Sequence, residues 1–358
     1  MQSSMFFQSA DTMSQTVRIL HIDSLRGIAV LLMVMVHAAA TWNPFSEVQL
    51  SILAYVVSGL GGLAAPLFVT LFGWGIVRAN LTFQSRLFQF FFFLIAQIAV
   101  NLTSPHLFHP FTPGILSLMA IMTLLLPLIF HRKRNSYSKI FVISLSSIIV
   151  IQTFFPDLQG TGIWADRVDD ASIPIILSNL LLTGTYPLFP WFFFAFFGAM
   201  ISTQPVNDGK SLEISLSVRL ALVVGLMYCS ITLVYAQFKN ILWAHPTEDA
   251  VLTFFPANQS FLIASLTGVV LLWILVQRYS MNILSHTGKL SLSIYLMHFI
   301  PLTLMRDFEV THQWGLQTST LAVLIYTLAW IPTAVLWQRY WPKASVETLL
   351  RAIRKSLF

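Results

Sequence analysis

Apolar runs of bilayer length recur from one end of this 358-residue chain to the other. Nothing else in it constrains the fold as strongly, because a hydrocarbon core demands about 20 predominantly apolar residues per helical crossing. The runs fall at about residues 24–41, 50–77, 84–103, 113–131, 139–156, 186–204, 216–236, 259–278, 287–305 and 318–338, each boundary free to shift by about two to four residues. The expectation is an all-α integral membrane protein, a polytopic bundle of about ten transmembrane helices. Residues 1–358 form one domain, since the stretches between runs are too short for a soluble unit. A composition that is 56% hydrophobic and 9% charged agrees,.

Charge gives the orientation. With the N-terminus inside, 17 of the 20 Lys and Arg residues fall in inner segments, and Arg167, Lys239 and Arg306 are the exceptions. Short cytoplasmic loops retain positive charge, so both termini are expected in the cytoplasm with an even number of spans. Topology thereby accounts for the net charge of +6, and no nucleic-acid partner is expected. Residues 1–20 read as a cytoplasmic N-terminal segment lacking the order of a cleavable signal. Residues 345–358 (SVETLLRAIRKSLF) set leucine and isoleucine against Arg351, Arg354 and Lys355 at helical spacing, the pattern of an amphipathic helix on the inner surface,. The second run exceeds bilayer length and holds Gly59, Gly61, Gly62 and Pro66, which predicts a kink or a break in its outer half,. Ser172 to Gly184 is too short to cross and reads as a half-helix at the outer face,.

Ionisable groups inside spans are expensive, which makes them functional candidates. Arg26 and His37 lie eleven residues apart on the first run. That is nearly three turns, so they share a face about 16 Å apart. Imidazole is the side chain suited to accept a proton at neutral pH, although a histidine bonded to a neighbour near a helix end would show the same pattern. Arg26 is also placed to snorkel or to pair with Asp23 one turn earlier,. On the ninth run, Ser291, Tyr295 and His298 follow i, i+4, i+7 spacing, with His298 about 13 Å above Lys289 on a straight helix,. Such a stripe either joins helices by hydrogen bonds or serves catalysis. Tyr186 and Trp191, with Asn179 just upstream, suit a sugar ring, although Trp and Tyr at this depth more commonly form an interfacial aromatic belt,.

Other chemistries find no support. Cys229 is the sole cysteine and lies in an apolar segment, so no intrachain disulfide can form,. His106, His109, His245 and His312 lack ligand spacing, and no metal is expected,. A glycine-rich phosphate loop and a serine nucleophile elbow are both missing.

Asp23-x-x-Arg26-Gly27 followed by an apolar helix and His37 resembles the first-span signature of the transmembrane acyltransferase superfamily, with the Arg-to-His spacing of its acyltransferase-three branch. Ala65 to Ile76 (APLFVTLFGWGI) and Tyr186 to Met200 (YPLFPWFFFAFFGAM) resemble segments of the heparan-α-glucosaminide N-acetyltransferase-like branch, and Gly288 to His298 (GKLSLSIYLMH) resembles a late-span signature of the superfamily. The four segments occur in sequence order across most of the chain.

The resemblance implies acetyl or acyl transfer across a membrane, from cytoplasmic acyl-CoA, acetyl-CoA above all, to an extracytoplasmic small-molecule or glycan acceptor bearing an amine or hydroxyl. It assigns His37 the role of general base or acyl carrier and gives Arg26 a part in holding the donor or the fold; the polar stripe of the ninth run makes His298 the second catalytic candidate. The glucosaminide enzyme itself places its catalytic histidine further along, where this chain has none. Phosphates of CoA would require cations at the inner mouth, and Arg26, Arg78, Arg86, Lys289 and the Arg132–Arg134 loop are available,. Ser291 and Tyr295 are the accompanying donor-side polar groups, and Tyr186, Trp191 and Asn179 the acceptor-side ones. Expected partners are membrane lipids, acyl-CoA and the acceptor, with a homodimer allowed, in a multi-pass cell-membrane protein. The rival reading is a proton-coupled transporter or flippase using the same buried polar groups.

Overall fold

The computed structural model describes residues 18–42, 59–79, 81–130, 136–206, 209–247, 250–279 and 281–357. Most of the N-terminal segment, the beginning of the second apolar run and the Arg132–Arg134 loop lie outside the described residues. Helix is present in every one of the ten apolar runs. Among the described residues, seven helices are long and apolar enough to cross a membrane, or nine if each of two bent pairs is one span, and Ile115–Ile129 is a shorter apolar helix. The chain is a multi-pass integral membrane protein.

In chain order the helices are α1 (Leu20–Trp42), α2 (Ala64–Arg78), α3 (Phe83–Thr103), α4 (Ile115–Ile129), α5 (Tyr137–Phe154), the short α6 (Trp164–Val168) and α7 (Ile173–Ser178), then α8 (Leu188–Ile201) and α9 (Leu216–Lys239). Two short parallel strands follow, β1 (Leu242–His245) and β2 (Ala250–Thr253), a small departure from the all-α expectation. The remaining helices are α10 (Gln259–Arg278), α11 (Asn282–Lys289), α12 (Ser291–Met297), α13 (Phe299–His312), α14 (Leu316–Tyr340) and α15 (Val346–Leu357). Several starts are written in the sequence. Thr82 accepts from Ser85 N at 3.2 Å, and Asn258 Oδ1 accepts from Phe261 N at 2.8 Å, each relieving one of the unpaired N–H groups that open a helix,. Asn240, with φ of 54°, closes α9 in the left-handed conformation that asparagine tolerates,.

Helix α1 is the axis of the bundle. Leu25, Ala29, Val30, Val34 and Ala38 are all fully buried, and residues on several of its faces pack inward. By contrast, α5 and α9 present exposed rows of Ile143, Val150, Val223, Val224 and Val234, as lipid-facing helices do,. Small residues bring the central helices into backbone contact. A Cβ on Gly198 would lie 1.9 Å from Thr70 O, and one on Gly73 would lie 2.1 Å from Ala195 O, so α2 and α8 touch main chain to main chain,.

The same device joins α1 to α11 and corrects the reading of the ninth run. A Cβ on Gly27 would meet Leu284 O at 2.1 Å, and one on Gly288 would meet Asp23 O at 1.7 Å. The glycines hold α11 flat against the start of α1. The chain then turns at Leu290 (φ −111°, ψ 18°), and the helices on either side are bent by 63°. What reads as one straight span is therefore two pieces, and Lys289 lies across the bend from Ser291, Tyr295 and His298.

Two polar clusters fix the remaining parts. The half-helix expected over 172–184 is helical but merges into a π-type turn at Asn179–Thr183, bent by 46° from α8. Arg167, 2% exposed, ties this region together by donating from Nη1 to Thr183 O and Gly184 O at 2.9 Å each, and from Nη2 to Gln159 O at 3.1 Å. Burial, only partly offset by the neighbouring Asp166 carboxylate, holds its guanidinium down at about 10,. At the other cluster, α15 docks through Glu347, whose Oε1 accepts from Leu292 N at 2.7 Å and from Ser293 N at 3.1 Å. Ser293 Oγ donates to the second carboxylate oxygen at 2.5 Å and accepts from Val346 N at 2.9 Å.

Candidate functional site

The unbroken α1 sets Arg26 and His37 on one helix, as the spacing predicts. His298 ends α12 and is fully buried. The two histidines meet: His37 Nδ1 lies 2.8 Å from His298 Nε2, with the ring planes only 15° apart. The proton positions follow from the neighbours. His298 Nδ1 faces two carbonyl oxygens, Tyr295 O at 2.8 Å and Ile294 O at 3.1 Å. Carbonyls only accept, so Nδ1 carries the hydrogen, and in the neutral ring Nε2 is then an acceptor. The hydrogen between the rings therefore belongs to His37 Nδ1, and the lone pair of His37 sits on Nε2. Tyr326 Oη donates to His298 O at 2.6 Å and fixes the same turn from α14. Phe299 and Tyr295 pack on His37 at ring separations of 4.6 and 6.3 Å.

Toward the Arg26 end of α1 lies a cavity of about 250 Å3. Its wall is apolar, with Phe68, Leu71, Phe72, Phe93 and Met119, and its polar groups include Arg26, Gln89, Ser291 and Arg354. Arg26 Nη1 pairs with Asp23 Oδ1 at 3.3 Å, and Arg18 Nη2 reaches the same oxygen at 3.3 Å, which leaves the Arg26 side chain 34% exposed. Gly75 makes the room: a Cβ there would come within 3.4 Å of Arg26 Nη2. Phe68 lines this cavity and lies 6.4 Å, ring to ring, from Tyr295. Two aromatic rings in succession, Phe68 and then Tyr295, thus link the cavity lining to His37.

The other sequence candidates fall outside this arrangement. Arg78 stacks on Trp74 at 4.8 Å and donates to Ser202 O at 3.2 Å, tying α2 to the end of α8. Arg86 lies 6.0 Å over Phe83 on its own helix. Neither borders the cavity, nor does Lys289. Trp191 is 1% exposed within a cage of Tyr186, Phe194, Phe254 and Phe261. Asn179 Nδ2 donates to Asp169 O at 2.9 Å while Oδ1 accepts from Thr183 Oγ1 at 2.7 Å, so its amide is engaged in holding the loop. Among the described residues no group of three His, Cys, Asp or Glu side chains is placed to hold a metal ion.

Sequence reasoning missed Tyr326, Phe68, Glu347 and Arg354 as parts of the site. The first two carry no signal beyond being aromatic in an apolar run. Arg354 was legible only as one charge of an amphipathic helix.

No curated protein significantly matches the chain. A family model does, over residues 18–235, and it contains Arg26, His37, the cavity wall from α2 to α4 and all of α8. With well over half of its length in that match, the chain belongs to the family described as heparan-alpha-glucosaminide N-acetyltransferase, catalytic.

Proposed function

We propose that this protein is a membrane acetyltransferase that takes its acetyl group from acetyl-CoA and delivers it to the amine or hydroxyl of an extracytoplasmic acceptor, with His37 at the reacting centre. The observation that carries the reading is the histidine pair, whose proton order leaves His37 Nε2 as a bare lone pair at the outer part of α1. In direct transfer the acceptor's nitrogen or oxygen bonds to the thioester carbonyl carbon while its proton passes to Nε2. The carbon–sulfur bond then breaks, and the CoA thiolate takes a proton to leave as thiol. In the two-step form Nε2 itself attacks the carbonyl, the thiol departs, and the acceptor displaces the imidazole from acetyl-His37. Both routes use the same nitrogen. His298 accepts the Nδ1 hydrogen throughout and steadies the charge that His37 acquires.

In this reading the helices make ten crossings with both termini in the cytoplasm, and the cavity beside Arg26 receives the thioester arm from that side. Its volume of about 250 Å3 is below the roughly 300–1,000 Å3 of sites that enclose a whole drug-sized ligand, so the nucleotide stays outside,. Phe68 and Tyr295 must part for the acetyl group to pass.

The test is acetyl transfer by the purified protein in liposomes, followed as thiol release with an amino-sugar acceptor present. His37→Ala should lower the rate by about 10²- to 10⁴-fold, the range for loss of a general base. Undiminished transfer removes His37 from the mechanism, and solute uptake that needs no thioester supports the transporter instead.

A further inference from the structure

Helix α15 lies outside the residues matched by the family model, yet it borders the cavity, and its position is not that of a loosely attached tail. Glu347 fastens its first turn to the otherwise unpaired N–H groups that begin α12, replacing the hydrogen bonds lost at the bend,. Seven residues further along, nearly two turns and about 10 Å of rise, Arg354 enters the wall of the cavity that also holds Arg26. Two guanidinium groups from opposite ends of the sequence therefore share one concave surface with an apolar interior.

Their surroundings differ in an informative way. Arg26 is partly neutralised by Asp23, which Arg18 also contacts. No hydrogen bond or ion pair holds the Arg354 side chain among the described residues, whereas its neighbour Arg351 is occupied with Glu347 O at 3.2 Å and Thr348 Oγ1 at 3.3 Å. An arginine that lines a cavity without a carboxylate of its own is matched to an anionic ligand, and its planar fork of donors fits phosphate oxygens in particular. The apolar lining fits an uncharged acyl-thioester arm, so the site is complementary to a molecule apolar at one end and phosphorylated at the other.

We propose that Arg354 is a donor-binding residue: with Arg26 it grips the phosphates of acetyl-CoA, and α15 closes over the mouth of the cavity. This rests on the acetyltransferase reading above and adds to it a residue and an element beyond the matched region. Glu347 is a positioning residue, since it does not border the cavity and acts by holding α15 and α12 in register.

The experiment compares two donors in the full-length protein in liposomes, acetyl-CoA and a short acetyl thioester without phosphates. Arg354→Ala should raise KM for acetyl-CoA about tenfold or more, as loss of a charged hydrogen bond does, with kcat little changed. Turnover of the phosphate-free thioester should be unaffected. Arg354→Lys should recover part of the loss, and Lys355→Ala, a neighbouring exposed charge, should behave as wild type. An unchanged KM for acetyl-CoA in Arg354→Ala, or equal damage with both donors, overturns the assignment while leaving the enzyme reading intact. Equal weakening by Lys355→Ala would instead make α15 a membrane-surface anchor. If wild type uses neither donor, the acetyltransferase reading fails and takes this one with it.

Discussion

Removing His298 tests the proton order directly. His298→Ala deletes the acceptor 2.8 Å from His37 Nδ1. In the resting site that bond joins two neutral rings and contributes about 0.5–1.5 kcal/mol, but once Nε2 accepts a proton it becomes charge-assisted and worth about 1.5–3 kcal/mol. The difference, about 1–1.5 kcal/mol, corresponds to roughly tenfold in kcat. A larger loss follows if the freed ring changes tautomer, because Nε2 then carries the hydrogen and cannot act as base; the wrong tautomer in a serine-protease triad costs about 10⁴-fold. The loss in His298→Ala should thus fall between these limits. The discriminating measurement is the cycle with His37→Ala, scored by thiol release, with thermal unfolding in detergent as the folding control. If His298 works only through His37, the double variant should be no slower than His37→Ala alone. Losses that multiply would show that His298 acts independently on the reaction and would refute the relay. His298→Gln, whose amide oxygen can accept from Nδ1–H, should retain more activity than His298→Ala.

Two further outcomes follow from packing and from the loop beyond α3. Gly288→Ala forces a Cβ against Asp23 O, 1.7 Å away; overpacking of this kind typically destabilises by about 1–3 kcal/mol, and thermal unfolding should show it, whereas Gly209→Ala, with nothing within 4 Å but a φ of 72°, should be milder. Burial and the nearby Arg306 hold the His106 imidazole below its ordinary 6.5. The unfolded chain therefore binds this proton first, and as pH falls below about 6.5 toward the folded value, stability drops. His106 Nε2 contacts Thr41 Oγ1 at 3.1 Å, so the strain falls on the His37 end of α1. The acid-side decline in melting temperature should be shallower in His106→Gln, and an identical slope would remove His106 from it.

What the sequence made legible was what a single periodic segment carries. The first run is one continuous helix, so the phase of Arg26 and His37 survived into three dimensions, and the ninth run put Tyr295 and His298 within reach of His37. The failures share a cause. Lys289 was placed by assuming a straight helix, whereas the chain bends at Leu290 just after the stretch where Gly27 and Gly288, 261 residues apart, let two backbones touch. Trp191 looked like an interfacial ring, but Phe254 and Phe261 from a distant segment enclose it. Arg354 could not be told from Arg351 or Lys355 by spacing, since only the docking of α15 through Glu347 decides which cation faces the cavity.

The use of histidine where many hydrolases and transferases place a carboxylate has a physical reason in this setting. A carboxylate beside His37 would have to be kept ionised among Phe299 and Tyr295, in a region where an unpaired charge is costly and a protonated acid would donate rather than accept. A neutral imidazole can accept from His37 without any charge, provided its other nitrogen has a fixed partner. That condition is met by the carbonyls of Ile294 and Tyr295, which face His298 Nδ1 where α12 gives way to α13. Those carbonyls are oriented by a helix whose beginning is held by Glu347 and whose end is held by Tyr326. His37 is thus aligned by a short helix clamped at both ends, and one of those clamps belongs to α15, the element that borders the cavity beside Arg26. In the proposed reaction, holding α15 in place is therefore a single requirement for both halves: it sets Arg354 at the cavity, and through α12 it sets which nitrogen of His37 is free to react.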